Sequence, residues 1–384
     1  MKPLLLIVLA TLAFSCSTTA PINSQTATEG GGSPTASANP NVIFEYAPQN
    51  VDSLITFEAF DAYENKYKSV PGFKSFAQSE GGAWAYVTNR DSQDIADLHV
   101  LKSCEKYNLK YTDSYPCKLI NVSGKWLNYP KRALEILDSL PEFTPETPID
   151  LSQLRSNTNK DMQNKDYAMA LAKRVWFHQH ALEVNEHYSA VRLSFGLMDW
   201  AELGKVYPPA KTLLRYLANY AKSTLMNKPK EAYSLIHEYV SINRVLERTD
   251  QSLSFFNWLD NHHPETAARN FHIFQDVLTQ HEQFSLYNKY LNPNVDFSQM
   301  VSTYVWSKDA RKRGVYGDTE KSQKMLEFDT KTFIYNVSRL VAILVINGRS
   351  AETENIIEKA KLELDSDEFI TALNNAQGGK LPPS

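Results

Sequence analysis

Three side chains of the types that bind metals, His180, Glu183 and His187, stand at positions i, i+3 and i+7 and would share one face of a helix. A zinc site needs three or four ligands that converge on one ion. Because these three spread over two helical turns, an ion would also need a ligand from a partner helix. The spacing leaves two interpretations, a metal site and a solvated or packed helix surface, and we expect the second.

Other catalytic and cofactor-binding patterns are missing from the sequence. It contains no P-loop, no GxGxxG after a strand, no GxSxG, no HExxH and no EF-hand loop. Lytic transglycosylases, which can be helical envelope proteins, commonly place Ser after the catalytic Glu, and no Glu-Ser pair occurs. We therefore expect no cofactor and no local catalytic motif.

Composition excludes some classes of protein and favours others. Of the 384 residues, 40 are Lys or Arg and 44 are Asp or Glu, which gives a net charge of −4. This balance does not suit a nucleic-acid binder, which needs a basic excess to neutralise phosphates. Only 14 residues are Gly, so we expect few tight turns and a mainly helical fold.

The first sixteen residues have the layout of a secretory signal, with Lys2 followed by an apolar run from Leu4 to Phe14 that is too short to span a bilayer. The segment LAFSC, which ends at Cys16, resembles a bacterial lipobox. That resemblance implies a lipid on Cys16, and Ser17 after it implies sorting to the outer membrane. The alternative is a cleaved signal peptide and a secreted or periplasmic chain.

Residues 17–40 are almost entirely Ser, Thr, Ala, Gly and Pro and carry one charge, Glu29. Such a segment cannot bury enough apolar surface to offset its chain entropy, so we expect a flexible tether. The remaining chain exceeds the size at which single cores usually split, and we expect two folded domains.

The first domain, over residues 41–130, is expected to be a small α/β unit. The pattern predicts a helix over residues 53–67, a strand over residues 82–87, a second helix up to Cys104 and a hairpin that turns at Ser123-Gly124. With Cys16 assigned to the lipid, Cys104 and Cys117 remain, and in an exported chain we expect a disulfide rather than two free thiols. The unit resembles an α/β module of exported bacterial proteins in which a helix ends in Cys and a strand begins with Pro-Cys.

Residues 131–160 contain three prolines and are expected to form a connector. From residue 161 to 384 the periodicity is helical, and Pro208, Pro229, Pro264 and Pro293 interrupt it at intervals near the length of a helix pair. One run, Trp200, Leu203, Gly204 and Tyr207, fits the W-x₂-L-G-x₂-Y half of the tetratricopeptide motif. The region, and Val191–Ala210 in particular, resembles uncharacterised bacterial tetratricopeptide-like helical-repeat proteins.

That resemblance implies a mainly α fold, an α-solenoid preceded by a small disulfide-bonded α/β domain. It also implies a protein partner on the concave helical face. We expect a non-enzymatic envelope lipoprotein that acts as a scaffold or adaptor and is held to the membrane by its lipid. The alternatives are an envelope hydrolase with a site between the two domains, or a small-ligand or metal-binding protein that uses Trp84 and Trp126 or the histidines near His180.

Overall fold

The computed structural model is mostly helical and contains one small four-stranded antiparallel sheet, which confirms a mainly α fold that includes a small α/β part. It divides into two compact units, one ending at Ile273 and the other starting at Phe274. The expected domain boundaries stay predictions. Within the described ranges, no helix combines the length and apolarity needed to cross a bilayer. The structure describes residues 54–110, 115–127, 132–227, 233–314 and 319–383, so Cys16 and the expected tether lie outside it.

The sheet lies between two helical layers in the first unit. Strands β1 (Phe73–Gln78), β2 (Trp84–Arg90), β3 (Lys118–Val122) and β4 (Lys125–Trp126) are arranged in the order β2-β1-β3-β4. Because neighbouring residues of a strand face opposite sides, Ala77 packs toward helix α2 (Gln93–Asn108) while Phe76 packs toward helix α1 (Phe57–Ala62). A π-helical turn, Tyr63–Tyr67, continues α1. Helices α1 and α2, strand β2 and the hairpin of β3 and β4 lie close to the positions that the sequence pattern predicts, whereas β1 was not predicted.

The expected disulfide between Cys104 and Cys117 is confirmed, and it joins the last part of α2 to the start of β3. Two side chains of α2 support the same junction. Glu105 Oε1 accepts a hydrogen bond from the Cys117 amide at 2.6 Å, and Asn108 Nδ2 donates to the Tyr115 carbonyl oxygen at 2.6 Å. The bridge and these hydrogen bonds together hold the helix against the sheet.

Lys74, a buried lysine of β1, ties the π-helical turn to the sheet. Its Nζ donates to three carbonyl oxygens, those of Tyr67 at 3.0 Å, Lys68 at 2.8 Å and Val70 at 2.7 Å. Carbonyl groups at the end of a helix lack intrahelical hydrogen-bond donors and carry partial negative charge. The ammonium group supplies both the missing donors and a compensating positive charge. The lysine therefore caps this helix end.

Helix α1 also packs onto the helical part of the first unit. The ring of Phe57 stacks on that of Phe255 with centroids 4.9 Å apart, and Trp258 lies 5.6 Å away. Tyr115, which follows α2, makes a 3.0 Å hydrogen bond with Thr212. The small sheet and the helices that follow it in the chain therefore share one packed unit.

The helices of the first unit pack as successive neighbours. Helix α8 lies against both α7 and α9, α7 also contacts α9, and α4 pairs with α5. Residues Arg192–Gly196 form a π-helical turn that leads into α7. These helices are α3 (Arg132–Ser139), α4 (Leu151–Gln163), α5 (Tyr167–Val184), α6 (Ser189–Val191), α7 (Leu197–Val206), α8 (Pro208–Asn227), α9 (Tyr233–Val245), α10 (Thr249–His262) and α11 (Pro264–Gln280), the last of which continues past Ile273.

The second unit has a long central helix. This helix, α14, contributes a buried apolar stripe that includes Phe333, Val337 and Val341, and α15 faces it with Ile356 and Ile357. Arg339 is also buried in α14 and pairs with Asp276. The helices of this unit are α12 (Phe284–Tyr290), α13 (Pro293–Lys312), α14 (Thr319–Ile346), α15 (Ser350–Glu363) and α16 (Asp367–Gln377).

Four helix ends share one backbone turn. At each, a residue with positive φ follows the helix. The residue after it donates its amide N–H to the carbonyl oxygen five positions earlier, and a new helix begins directly after this residue. This is the Schellman arrangement, which satisfies the last carbonyls of a helix. The residues with positive φ are Lys165, Glu247, Glu282 and Gly348.

The junction between α7 and α8 has no room for a larger residue at Gly204. A Cβ atom placed there would lie 3.2 Å from the Cβ of Lys211 and 3.3 Å from its amide nitrogen. Both atoms belong to the first turns of α8, so the close approach of the two helices depends on this glycine. Trp200 Nε1 donates to the Ala210 carbonyl oxygen at 2.9 Å across the same junction.

We expect Gly204→Val to reduce the free energy of unfolding by about 1–3 kcal/mol, because the added side chain overpacks the junction. The measurement is urea denaturation followed by circular dichroism. Lys205→Val is the matched control, because it places the same side chain at the next, exposed position and should cost less than about 0.7 kcal/mol. A loss in Gly204→Val no larger than that in Lys205→Val would contradict overpacking at the junction.

Candidate functional site

A cluster of charged side chains lies between α4, α5, α7 and α9 of the first unit. We call it the buried charged cluster. One part centres on Glu238 of α9, whose Oε2 accepts a hydrogen bond from Arg192 Nη2 at 2.7 Å. The cluster comprises Arg155, Asp161, Lys173, Arg174, His178, Arg192, Asp199 and Glu238.

His178 of α5 completes this first part. Its Nε2 is 3.0 Å from Glu238 Oε1 and 2.9 Å from Arg192 Nη1. A neutral imidazole nitrogen either donates or accepts, so the tautomer decides which contact is the hydrogen bond. Arg192 Nη1 also donates to the His178 carbonyl oxygen at 3.3 Å. These contacts join α5, the π-helical turn before α7, and α9.

Ionisation in this part follows from burial and from the fixed charge of Arg192. Burial lowers the pKa of His178, and the nearby Arg192 guanidinium lowers it further, so the imidazole is neutral. Burial opposes ionisation of Glu238, but the attraction of its two hydrogen-bond partners outweighs it and lowers the pKa to about 2.

The second part of the cluster centres on Asp199 of α7. Its Oδ2 accepts a hydrogen bond from Arg155 Nη2 of α4 at 2.8 Å and lies 3.6 Å from Arg174 Nη1 of α5. Lys173 Nζ donates to Asp161 Oδ2 at 2.7 Å. The carboxylates of Asp161 and Asp199 therefore link α4, α5 and α7 through ion pairs. Glu238 links the π-helical turn to α9 in the same way.

A small cavity opens between these two parts. Its volume of about 10 Å³ is comparable with one water molecule. The ring of Trp200 forms one wall and stands edge-on to His178, with centroids 5.7 Å apart. The charged contacts on either side of this cavity hold the surrounding helices together.

Beside the cluster, a short row of rings joins α9 to α11. The rings of Tyr233 and His272 stack with centroids 5.7 Å apart, and His237 lies 6.2 Å from Tyr233. Tyr233 is 48% exposed, and both histidines are partly exposed. Burial lowers the pKa of His237 and of His272. We call Tyr233, His237 and His272 the ring row, which offers a surface of neutral aromatic groups.

The residues of the tetratricopeptide-like run lie at the junction of α7 and α8. Trp200, Leu203 and Gly204 are buried, whereas Tyr207 ends the helix and stacks on Tyr167 with centroids 6.0 Å apart. The packing role that the repeat motif implies for these four residues stays a prediction.

The histidines of the alternative metal site do not share one helix. Helix α5 ends at Val184, Asn185 follows as its cap, and His187 lies in a separate 3₁₀ turn. His180 Nδ1 is paired with Glu183 Oε2 at 2.9 Å. Among the described residues, no three His, Cys, Asp or Glu side chains are grouped so that they could hold a metal ion.

The two tryptophans of the alternative ligand groove pack against the core of the α/β part. Trp84 stacks on Phe76 with centroids 5.8 Å apart, and Trp126 lies 5.0 Å from Tyr63. Both are only partly buried, and they cover the cluster formed by α1 and the sheet. Each ring is thus packed against other aromatic rings.

Sequence reasoning did not find the buried charged cluster. Glu238 is 46 residues from Arg192 and 60 from His178 along the chain, and no local motif connects them. One available signal was the presence of Arg174 and His178 within the otherwise apolar stretch of α5, where a buried polar group needs a partner.

Comparisons with known proteins gave no match: no family model, no curated protein and no solved structure resembles this chain. The class of protein must therefore be inferred from its own fold and residues.

We expect the melting temperature to fall as the pH is lowered from about 7.5 to about 5.5. The folded state lowers the pKa of His178, His237 and His272, so the unfolded chain takes up more protons below about pH 6.5. The stability that neutral His178 contributes is present above that pH and is lost below it. Glu238 loses its contribution only at lower pH, between about 4.5 and about 2.

The matched measurement uses His178→Gln, which should show a smaller fall in melting temperature over the same pH range. His99→Gln replaces an exposed histidine of α2 and should behave as the parent chain does. If His178→Gln and the parent lost stability in parallel, burial of this imidazole would not be a source of the pH dependence.

Proposed function

We propose that the helical region is a tetratricopeptide-like scaffold that binds a segment of a partner protein and that catalyses no reaction. The observation that carries this proposal is the packing order of α7, α8 and α9, in which α8 lies against both neighbours and α7 also touches α9. In a solenoid of helix pairs, the second helix of one pair packs against the first helix of the next.

Two further features support the same proposal. The close approach at Gly204 pairs α7 with α8 in the way that the motif glycine allows. In addition, the shared turn recurs at Glu247 and Glu282, an interval of 282 − 247 = 35 residues, which is close to one tetratricopeptide repeat.

The first helices of successive pairs would then line one face. On α9 and α11 this face carries the ring row, whose side chains are partly or largely exposed. Aromatic rings supply contact area at little cost in conformational entropy, and neutral histidines can donate or accept hydrogen bonds. Such a face is suited to an extended or helical segment of a partner protein.

The position of the scaffold in the cell is the second part of the proposal. The lipobox-like segment that ends at Cys16 would attach the chain to the outer membrane, facing the periplasm, and residues 17–40 would give the folded body reach. A lipid anchor would raise the local concentration of the scaffold near its partner.

The scaffold proposal predicts crosslinks at one face. With a photo-crosslinking residue in place of Tyr233, we expect one dominant adduct in intact cells, and mass spectrometry of the adduct would identify the partner. The same residue in place of Leu98, which is 66% exposed on α2, serves as the control and should give none. Adducts of the same pattern at both positions, or no adduct at position 233, would count against the proposed face.

The anchor is tested separately. Cys16→Ala should abolish the incorporation of labelled palmitate and move the chain from the membrane fraction to the soluble fraction. Ser17→Asp should keep the label, because the sorting rule for the residue after the lipidated Cys affects only the choice of membrane. Membrane association of Cys16→Ala that equals the parent's would contradict the lipid anchor.

A further inference from the structure

The ionisable residues in the wall of the cavity in the buried charged cluster are all basic. Arg155 and Lys173 line it from α4 and α5, and Arg174 and His178 line it from α5. The carboxylates that pair with them, Asp161 and Asp199, are not part of the wall. An anion in the cavity would therefore meet basic groups, Thr158 and apolar surface, but no carboxylate.

The cluster also carries one positive charge in excess. Its four basic groups, Arg155, Lys173, Arg174 and Arg192, face three carboxylates, and His178 is neutral. An uncompensated buried charge destabilises a fold. Arg174 is 5% exposed and burial lowers the pKa of its guanidinium to about 10, so it still carries its charge at neutral pH.

Two arginines of the wall have hydrogen-bonding capacity to spare. The Nε atoms of Arg155 and Arg174 are buried, and neither has a hydrogen-bond partner among the described residues. Unsatisfied buried donors are rare in native proteins and indicate a group that completes them. An anion can accept from guanidinium N–H groups and compensate the excess charge at the same time.

We propose that this cavity is a binding site for a single small halide ion, with chloride as the natural ligand. The small volume of about 10 Å³ favours one monatomic ion over a polyatomic anion such as sulfate or phosphate. The partly exposed side chains of Arg155 and Lys173 provide the route from solvent. The bound ion stabilises the contact of α4 and α5 with α7.

The test is the melting temperature of the full chain in sodium chloride against sodium gluconate at equal ionic strength. Chloride should raise the melting temperature by about 2–4 °C at about ten times its dissociation constant and should approach saturation. Gluconate should not reproduce this rise. Equal shifts in the two salts would overturn the proposal, because they would indicate general screening.

Variants assign the effect to the cavity. Arg174→Gln removes a wall guanidinium and should abolish the difference between chloride and gluconate. If this variant does not fold, Arg155→Gln, at a more exposed position of the wall, should reduce the difference at least severalfold. Arg349→Gln, which alters an arginine paired with Glu352 in the second unit, should retain it. A chloride effect that persists in the wall variants would overturn the site.

Discussion

The buried indole of Trp200 is the contact on which the first unit depends most. Its N–H donates to the carbonyl oxygen of Ala210 on α8, its ring stands edge-on to His178 of α5, and the neighbouring Asp199 pairs with Arg155 of α4. One turn of α7 therefore contacts three other helices. Gly204, also on α7, lets α8 approach this helix closely. The positions of these helices are therefore coupled, and a change at this turn of α7 affects all of them.

Polar interactions decide how the helices of this unit are aligned. Apolar packing alone is not directional, whereas the contacts of Glu238 with Arg192 and of Asp199 with Arg155 require particular pairs of atoms to meet. Buried ion pairs contribute little net stability, since desolvation offsets much of their attraction. Their effect here is to select one register of α4, α5, α7 and α9 among others that would bury similar apolar area.

The same arrangement relates the core of the unit to its surface. His178 and Arg192 hold Glu238 ionised near the middle of α9, and Tyr233 and His237 of the same helix form the ring row with His272. A protein segment bound at the ring row would rest on helices whose mutual positions the buried charged cluster determines. Occupancy of the cavity by an anion would strengthen the same helix contacts, so anion binding and partner binding would stabilise one conformation.

The sequence alone determined the helical character, the pairing of Cys104 with Cys117 and several element boundaries, because these depend on neighbouring residues. Pro208, Pro264 and Pro293 each begin a helix, since proline is tolerated in the first turn and not in the interior. His180, Glu183 and His187 were expected on one helix, but Asn185 ends α5 between them. Only the tertiary structure brought Arg192, His178 and Glu238 together, because residues 46 and 60 positions apart meet through helix packing, which local periodicity does not encode.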